Sequence, residues 1–101
     1  MKLQALYMFC DPTADSTKHR AEIETPECKL TTIGVSSPDE AAQIAKQMVD
    51  EAGVALIEVC GAFGYEGAKK VTDAVGDRVP VGMIVHQVWN AKALAKLLGG
   101  G

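Results

Sequence analysis

An alternation of strand-like and helix-like segments along the last two thirds of the chain constrains the fold more than any other feature. Three apolar runs have strand length, residues 30–35, 54–60 and 79–85, and segments with helical periodicity separate them at 38–52 and 65–75. Alternation at this spacing is typical of βαβ units, in which right-handed crossovers join parallel strands. It predicts an α/β domain with a mainly parallel sheet.

The segment 38–52 carries the clearest signals of helix formation. Ser37 is a capping residue, Pro38 suits the first helical position, and Glu40 stands three residues after the cap. Gly53 provides the left-handed conformation that ends many helices. The residues that repeat at helical spacing between these ends are apolar: Ala41, Ile44, Ala45, Met48, Val49 and Ala52. A helix over 38–52 would bury this apolar side.

The two ends of the chain add one strand and one helix to this pattern. Residues 3–9 are apolar and aromatic and predict a strand, whose direction relative to the others stays open. Asn90 is suited to cap a last helix, and we expect residues 98–101 to be a flexible tail. The inner side of that helix would carry Ala91, Leu94, Ala95 and Leu98.

The length of 101 residues fits one small domain, so we assign residues 1–101 to a single unit. The predicted sheet has four strands, and the order βαβαβα follows the N-terminal strand and a long connection. That connection, residues 10–29, is longer than compact domains usually carry without a use. Within it, residues 16–22 favour a short helix that Asp15 or Ser16 would cap.

One face of the predicted sheet lacks an obvious cover. If the strands at 30–35, 54–60 and 79–85 are neighbours in that order, right-handed crossovers place both intervening helices on the same face. The opposite face must then be covered by the last helix, by residues 10–29, or by another subunit. We therefore expect a homo-oligomer, with a dimer favoured.

Reactive side chains follow or interrupt the predicted strands. Ligands of open α/β sheets bind beyond the carboxyl ends of the strands, where parallel pairing would bring Cys60 and His86 to one edge. Glu58 interrupts an otherwise apolar strand, so a buried carboxylate at this position would need a partner such as Arg20 or His86. It is either a general base or ligand anchor, or a structural acid in an ion pair or facing solvent.

Two further groups have the chemistry of an anion site. His19 and Arg20 lie in the long connection, and a guanidinium matches a carboxylate or phosphate. Gly61 and Gly64 follow a strand and precede a helix, where backbone N–H groups suit an anion. Their spacing matches neither a dinucleotide fingerprint nor a P-loop, so a tight structural turn is the alternative.

Several classes of function are disfavoured by the composition. A formal net charge of −3 without clusters of Lys and Arg argues against nucleic acid and anionic membranes as partners. Because no close Cys or His pair is present, we predict no metal site, and no motif indicates a cofactor. The cysteines at 10, 28 and 60 are an odd number without close spacing, which favours a reducing cytoplasm.

Several local motifs together resemble a family of small uncharacterised bacterial α/β proteins of about this length. The motifs lie at residues 14–20, 23–26 (IETP), 57–64 (IEVCGAFG) and 79–82 (VPVG). The resemblance extends over nearly the whole chain, and it carries no established activity. It implies that the segments His19–Pro26 and Glu58–Gly64 belong together.

Two hypotheses about function follow. In the first, a small anionic metabolite is held by Arg20 and the backbone of Gly61 to Gly64, and the chemistry is proton transfer of the isomerase or lyase kind. Glu58 would be the base, His86 the proton shuttle, and Cys60 a lining residue or nucleophile. In the second, the protein is a non-catalytic homo-oligomeric module in which Glu58, His86 and Arg20 form a structural network.

Overall fold

The computed structural model describes residues 2–99, which form one sheet and three α-helices. The strands are β1 (Leu3–Cys10), β2 (Arg20–Glu24), β3 (Cys28–Val35), β4 (Leu56–Val59) and β5 (Val81–Met83), and the helices are α1 (Pro38–Ala52), α2 (Gly64–Val75) and α3 (Ala91–Leu97). The order of the strands across the sheet is β2-β3-β1-β4-β5. Every pairing is parallel except that of β2 with β3.

This architecture confirms the predicted α/β class and the mainly parallel sheet, and it settles the direction of the first strand. β1 runs parallel to both of its neighbours, β3 and β4. The sheet has five strands rather than the predicted four. No α-helix within residues 2–99 combines the length and apolar character needed to cross a membrane.

The fifth strand replaces the helix predicted over residues 16–22, and that prediction is wrong. Asp15 caps only a tight turn, in which its carboxylate accepts hydrogen bonds from the backbone and hydroxyl of Thr17. The chain then enters β2, which pairs with β3 as a hairpin whose cross-strand charges include a Glu22–Lys29 ion pair. By pairing with β3, β2 forms hydrogen bonds with the backbone N–H and C=O groups along the outer edge of β3. A single helical turn at residues 16–22 would leave those groups without partners in the sheet.

The predicted order of neighbouring strands is also corrected. β1 lies between β3 and β4, so the segments 30–35 and 54–60 do not touch as paired strands. The 15 residues of α1 carry the chain across β1, and α2 joins the adjacent strands β4 and β5. Both crossovers move in the same direction, so α1 and α2 lie on the same face of the sheet and pack against each other, as predicted.

The hydrophobic core lies between the sheet and these two helices. Its largest fully buried side chains are Leu6, Met8, Ile33, Ile57, Val35, Val59, Val71 and Val75. The strand residues in this set are alternate residues of β1, β3 and β4, as the pleat of a sheet covered on one side requires. One layer of helices therefore accounts for the whole core.

α1 begins and ends where the sequence predicts. Ser37 accepts a hydrogen bond from the backbone N–H of Glu40, and the Glu40 carboxylate accepts one from the N–H of Ser36 at 2.8 Å. Glu40 also accepts a hydrogen bond from the hydroxyl of Ser16, which ties the long connection to this helix end. At the other end Gly53 adopts φ = 71°, a conformation that favours glycine.

The second face of the sheet, here called the open face, carries the alternate residues of every strand. In the paired register these are Leu3, Ala5, Tyr7, Phe9, Ala21, Ile23, Cys28, Leu30, Thr32, Gly34, Leu56, Glu58 and Gly82. The Phe9 ring lies over Gly34, where a Cβ atom would come within 2.6 Å of it. α1 and α2 pack on the opposite face of the sheet. The side chain of Ile23, which lies on the open face, is 62% exposed.

The last helix is present, but it does not cover the open face. Asn90 makes no side-chain capping bond, and none of the predicted inner residues of α3 is buried, only Leu94 being half-buried. The main packing partner of α3 within the described residues is the preceding 3-10 turn, Val88–Asn90. Of the predicted tail, Leu98 and Gly99 donate hydrogen bonds to carbonyls of α3, and residues 100–101 lie outside the described part.

Replacing Ser37 by alanine tests the start of α1. Ser37→Ala is expected to lower the free energy of unfolding by about 1 kcal/mol, because the N–H of Glu40 loses its capping partner. Urea denaturation measures the change. Ser36→Ala is the comparison, since it removes only the hydroxyl bond of Ser36 to Glu40 and keeps the hydrogen bond from its backbone N–H. A loss as large as that of Ser37→Ala would contradict the capping role.

The acid sensitivity of the fold tests the contact between α1 and the end of α2. The pKa of Asp50 lies below its ordinary value, because its carboxylate accepts a hydrogen bond from Lys46, which has the larger effect, and another from Arg78. Its contribution to stability is therefore present above the unfolded-state pKa of about 3.9 and is lost as pH falls through the lower folded-state value. Asp50→Asn should lower the unfolding temperature at pH 7 and leave it unchanged at pH 2.

Glu51→Gln is the control for this experiment, because it removes a carboxylate from the adjacent, exposed position of the same helix. Thermal unfolding by circular dichroism at several pH values measures both variants. A deficit of Asp50→Asn that persists undiminished at pH 2 would contradict the ion-pair explanation.

Candidate functional site

The open face divides into a polar half toward the carboxyl ends of the parallel strands and an apolar half toward their amino ends. A continuous row of paired residues crosses the sheet in the polar half: Ala21, Thr32, Tyr7, Glu58 and Gly82. The neighbouring row of the apolar half contains Ile23, Leu30, Ala5 and Leu56. Side chains paired across strands lie about 5 Å apart, so each row is a contiguous strip.

Tyr7 and Glu58 are direct cross-strand neighbours at the centre of the polar half. Burial of the Tyr7 ring raises the pKa of its phenol, and the nearby Cys60 and Glu58 raise it further. Glu58 is itself exposed and leans over Gly82, where a Cβ atom would be 3.9 Å from its Oε2. A hydroxyl that keeps its proton therefore lies beside a carboxylate that is open to solvent.

Two cysteines meet at the carboxyl edge of the sheet. The backbone N–H of Cys10 donates a hydrogen bond to Sγ of Cys60, with a distance of 3.3 Å. Burial raises the pKa of the Cys10 thiol, and Cys60, Asp11 and Glu40 raise it further. Cys10 is therefore held in its protonated form, which is the form of a packing residue rather than of a nucleophile.

A basic pocket borders the polar half at the β2 side. It has a volume of about 290 Å³ and is lined by Phe9, Lys18, His19, Arg20, Ala21 and Thr32. Two of its three basic residues, His19 and Arg20, are held by local hydrogen bonds of their side chains. Nδ1 of His19 accepts the N–H of Asp15 at 2.8 Å, and Nε of Arg20 donates to the carbonyl of Ser16 at 2.8 Å.

These hydrogen bonds fix which atoms remain for a ligand. With Nδ1 of His19 acting as acceptor, the proton of a neutral ring lies on Nε2. The Arg20 guanidinium, whose Nε donates to Ser16, lies on the opposite face of the sheet from this pocket, because Arg20 pairs with the buried Ile33. Arg20 also lines a second cavity, of about 390 Å³, on the helix-covered face with Glu22, Thr31 and Met48 among its other walls.

The two acids near this pocket belong to their own turns. Hydrogen bonds from Thr13 lower the pKa of Asp11, and those from Thr17 lower the pKa of Asp15. His19 lowers both pKa values by a smaller amount. Both groups are therefore carboxylates, and several of their acceptor positions are occupied by threonine donors.

The structure brings together some of the residues that the sequence singled out. His19 and Arg20 line one pocket, and Glu58 and Cys60 both lie close to Tyr7. Arg20 and Glu58 are not partners, because β3 and β1 separate their strands by about 14 Å. No ion pair within residues 2–99 involves Glu58.

His86 and the two glycines lie elsewhere. His86 lines a separate cavity of about 230 Å³ with residues of the last helix, including Asn90 and Leu94. Gly61 begins the 3-10 turn before α2 and Gly64 is the first residue of α2, so both lie beyond β4 as seen from the basic pocket. The segments His19–Pro26 and Glu58–Gly64, which the resemblance links, thus border the open face from opposite sides of β1.

Local geometry explains both glycines. A Cβ atom at Gly61 would lie 3.1 Å from the carbonyl oxygen of Ile84, and Gly64 has φ = 65°. A close backbone approach and a left-handed turn each favour glycine without any ligand. Within residues 2–99, no group of three His, Cys, Asp or Glu side chains is placed to hold a metal ion.

Sequence reasoning missed Tyr7, Lys18 and Thr32. In the sequence Tyr7 is one of several apolar or aromatic residues of the first strand. The alternate residues Leu3, Ala5, Tyr7 and Phe9 would share one face of that strand. That signal becomes informative only once β1 is known to be central and covered on one face. Lys18 precedes His19 directly and could have been grouped with it from the sequence alone.

Comparison with known proteins gives one match. The model of a family described as "Family of unknown function (DUF6506)" matches residues 3–99. No curated protein and no solved structure matches the chain.

Titration of Tyr7 tests the central pair of the open face. In a Tyr65→Phe background Tyr7 is the only tyrosine, so phenolate absorbance reports on it alone. Glu58→Gln is expected to lower the pKa of Tyr7, because a negative charge beside the phenol is removed. Glu66→Gln, in the first turn of α2, is the control; equal pKa values in the two variants would contradict the contact.

Proposed function

We propose that this chain, which belongs to the DUF6506 family of unknown function, binds a small anionic metabolite at the carboxyl edge of its sheet. The observation that carries the proposal is the basic pocket, which is lined by Lys18 and His19 and, at its border, by Arg20, whose side chain lies on the other face of the sheet. The formal charge of the chain is −3, so such a local concentration of basic groups runs against its overall composition.

The pocket has the chemistry to hold an anion of small size. The ammonium of Lys18 and the imidazole N–H of His19 are donors of the kind that proteins use for carboxylates and phosphates. The volume of about 290 Å³ is at the lower end of the range of ligand sites, which suits a metabolite of a few carbon atoms. The Phe9 ring supplies an apolar wall, and the Thr32 hydroxyl supplies a further polar group.

A proton-transfer step is a second, narrower candidate, and the row across the polar half favours one version of it. Thr32 lines the pocket, Tyr7 pairs with Thr32, and Glu58 pairs with Tyr7. A bound anion that extends along this row would meet the phenol first and the exposed carboxylate second. Glu58 would then act as the base and Tyr7 as the neighbouring acid, without His86.

The alternative of a module held by a Glu58–Arg20–His86 network has less support. The three residues lie at β2, at β4 and beyond β5, and within the described residues no hydrogen bond joins them. For location we propose the cytoplasm, since Cys10, Cys28 and Cys60 are all free thiols.

Binding of defined anions tests the proposal. We expect inorganic phosphate or benzoate, titrated into the labelled protein and followed by NMR, to shift the backbone signals of residues 18–21 in a saturable manner. Lys18→Gln should weaken this binding about tenfold, because it removes a charge-assisted hydrogen bond. Arg20→Gln should weaken it less, because the Arg20 side chain lies on the other face of the sheet. Glu58→Gln should leave binding of these small probes intact, since Glu58 is two strands away.

Lys69→Gln is the matched control, because it removes one exposed lysine charge from α2. Signals outside the pocket report whether each variant keeps the fold. The proposal fails if neither probe saturates the shifts, or if Lys18→Gln binds the probes as well as Lys69→Gln.

A further inference from the structure

Two apolar surfaces have no cover within residues 2–99. One is the apolar half of the open face, where Leu30 and Leu56 are half-buried and Ile23 is exposed. The other is the segment of residues 84–98, here called the C-terminal arm, which follows β5 and contains α3. Large apolar side chains that remain in water on both surfaces are Leu3, Ile23, Ile84, Val85, Val88, Trp89, Leu97 and Leu98.

The C-terminal arm projects from the domain instead of folding back on it. None of its residues is buried, and Trp89 and Leu97 are 78% and 80% exposed. The radius of gyration is 14.2 Å, against about 13 Å for a compact domain of this length. The seven residues of α3 are too few for a helix that is stable by itself in water, so the arm needs a surface to pack on.

Both candidates within the chain for covering the open face are used differently. Residues 20–24 of the long connection extend the sheet as β2, and they add Ala21 and Ile23 to the open face. α3 packs mainly against the turn that precedes it. Neither of them covers the open face, and within residues 2–99 the C-terminal arm is an apolar segment without a place to pack.

We propose that two copies of this chain form a symmetric dimer by exchanging their C-terminal arms, so that α3 of each copy packs on the open face of the other. Each copy has one arm and one open face. In a dimer with two-fold symmetry each arm packs on the open face of the other copy, so both apolar surfaces of both copies are covered. Exchange also explains why the arm is apolar although its own domain does not bury it.

The charges of the two surfaces favour this occupant. The arm contains Lys92 and Lys96 and no acidic residue. Glu58 is the only charged residue among the paired strand residues of the open face, and it has no ion-pair partner in its own chain within residues 2–99. A lysine of the arriving arm would meet this carboxylate, whereas a lipid surface or a nucleic acid would bring negative charge to it.

Native mass spectrometry and light scattering of the full-length protein test the dimer. The expected mass is twice the chain mass of 10.7 kDa at micromolar concentration. Leu97→Glu in the arm and Leu30→Lys on the face should each raise the dissociation constant at least tenfold, because each places a charge in the apolar contact. Gln47→Glu and Gln43→Lys, on the exposed side of α1, are the controls matched in charge.

Mixing the two variants distinguishes arm exchange from other dimers. A mixed dimer of Leu97→Glu, isotopically labelled, with Leu30→Lys keeps one intact contact between an unchanged arm and an unchanged face. We therefore expect the mixed dimer to outnumber both homodimers. A wild-type monomer would overturn the proposal, as would a Leu97→Glu protein that remains as dimeric as its control, since two faces would then associate without the arms.

Lysine or glutamate at these exposed or half-exposed positions leaves the core intact, and circular dichroism of each variant verifies this. The proposal does not depend on the basic pocket. Lys18→Gln tests anion binding without touching the arm, and the dimer experiments use no ligand, so either proposal can fail while the other stands.

Discussion

The packing of α1 and α2 onto a single face of the sheet is the constraint on which the rest of the structure depends. Right-handed crossovers that move in the same direction place both helices on one side, and all of the large buried side chains lie there. The same rule leaves the opposite face without a helix of its own. The open face, with its polar and apolar halves, is thus a consequence of connection handedness and not a separate feature.

The central position of β1 decides what that face can do. Because β1 is flanked by β3 and β4 in parallel, Tyr7 comes to lie between Thr32 and Glu58, and Cys10 comes to lie beside Cys60. A sheet in the simpler order expected from the sequence would have paired β3 with β4 directly and placed Tyr7 at an edge. The candidate site is therefore built by strand order more than by any single motif.

Local signals in the sequence were sufficient for some elements and failed for others. The helix from Pro38 to Ala52 was predictable because its cap, its stop and its apolar spacing all lie within the segment. β2 was not, because a charged edge strand such as Arg20–Glu24 becomes a strand through pairing with β3. Among the candidate residues, His19 and Arg20 border one pocket as neighbours in sequence, whereas Arg20 and Glu58 were grouped without knowledge of the two strands between them.

The sequence by itself determined the fold class, the bounds of α1 and the presence of one uncovered sheet face. These depend on hydrophobic periodicity and chain handedness, which act over a few residues or one crossover. The tertiary structure alone decided that β1 is central, that β2 joins the sheet, and that α3 stands clear of the core. These features depend on contacts between segments that lie far apart in the chain. Alternative arrangements of those segments bury similar amounts of apolar surface. They differ only in which backbone edges are hydrogen-bonded and which faces of the sheet are covered.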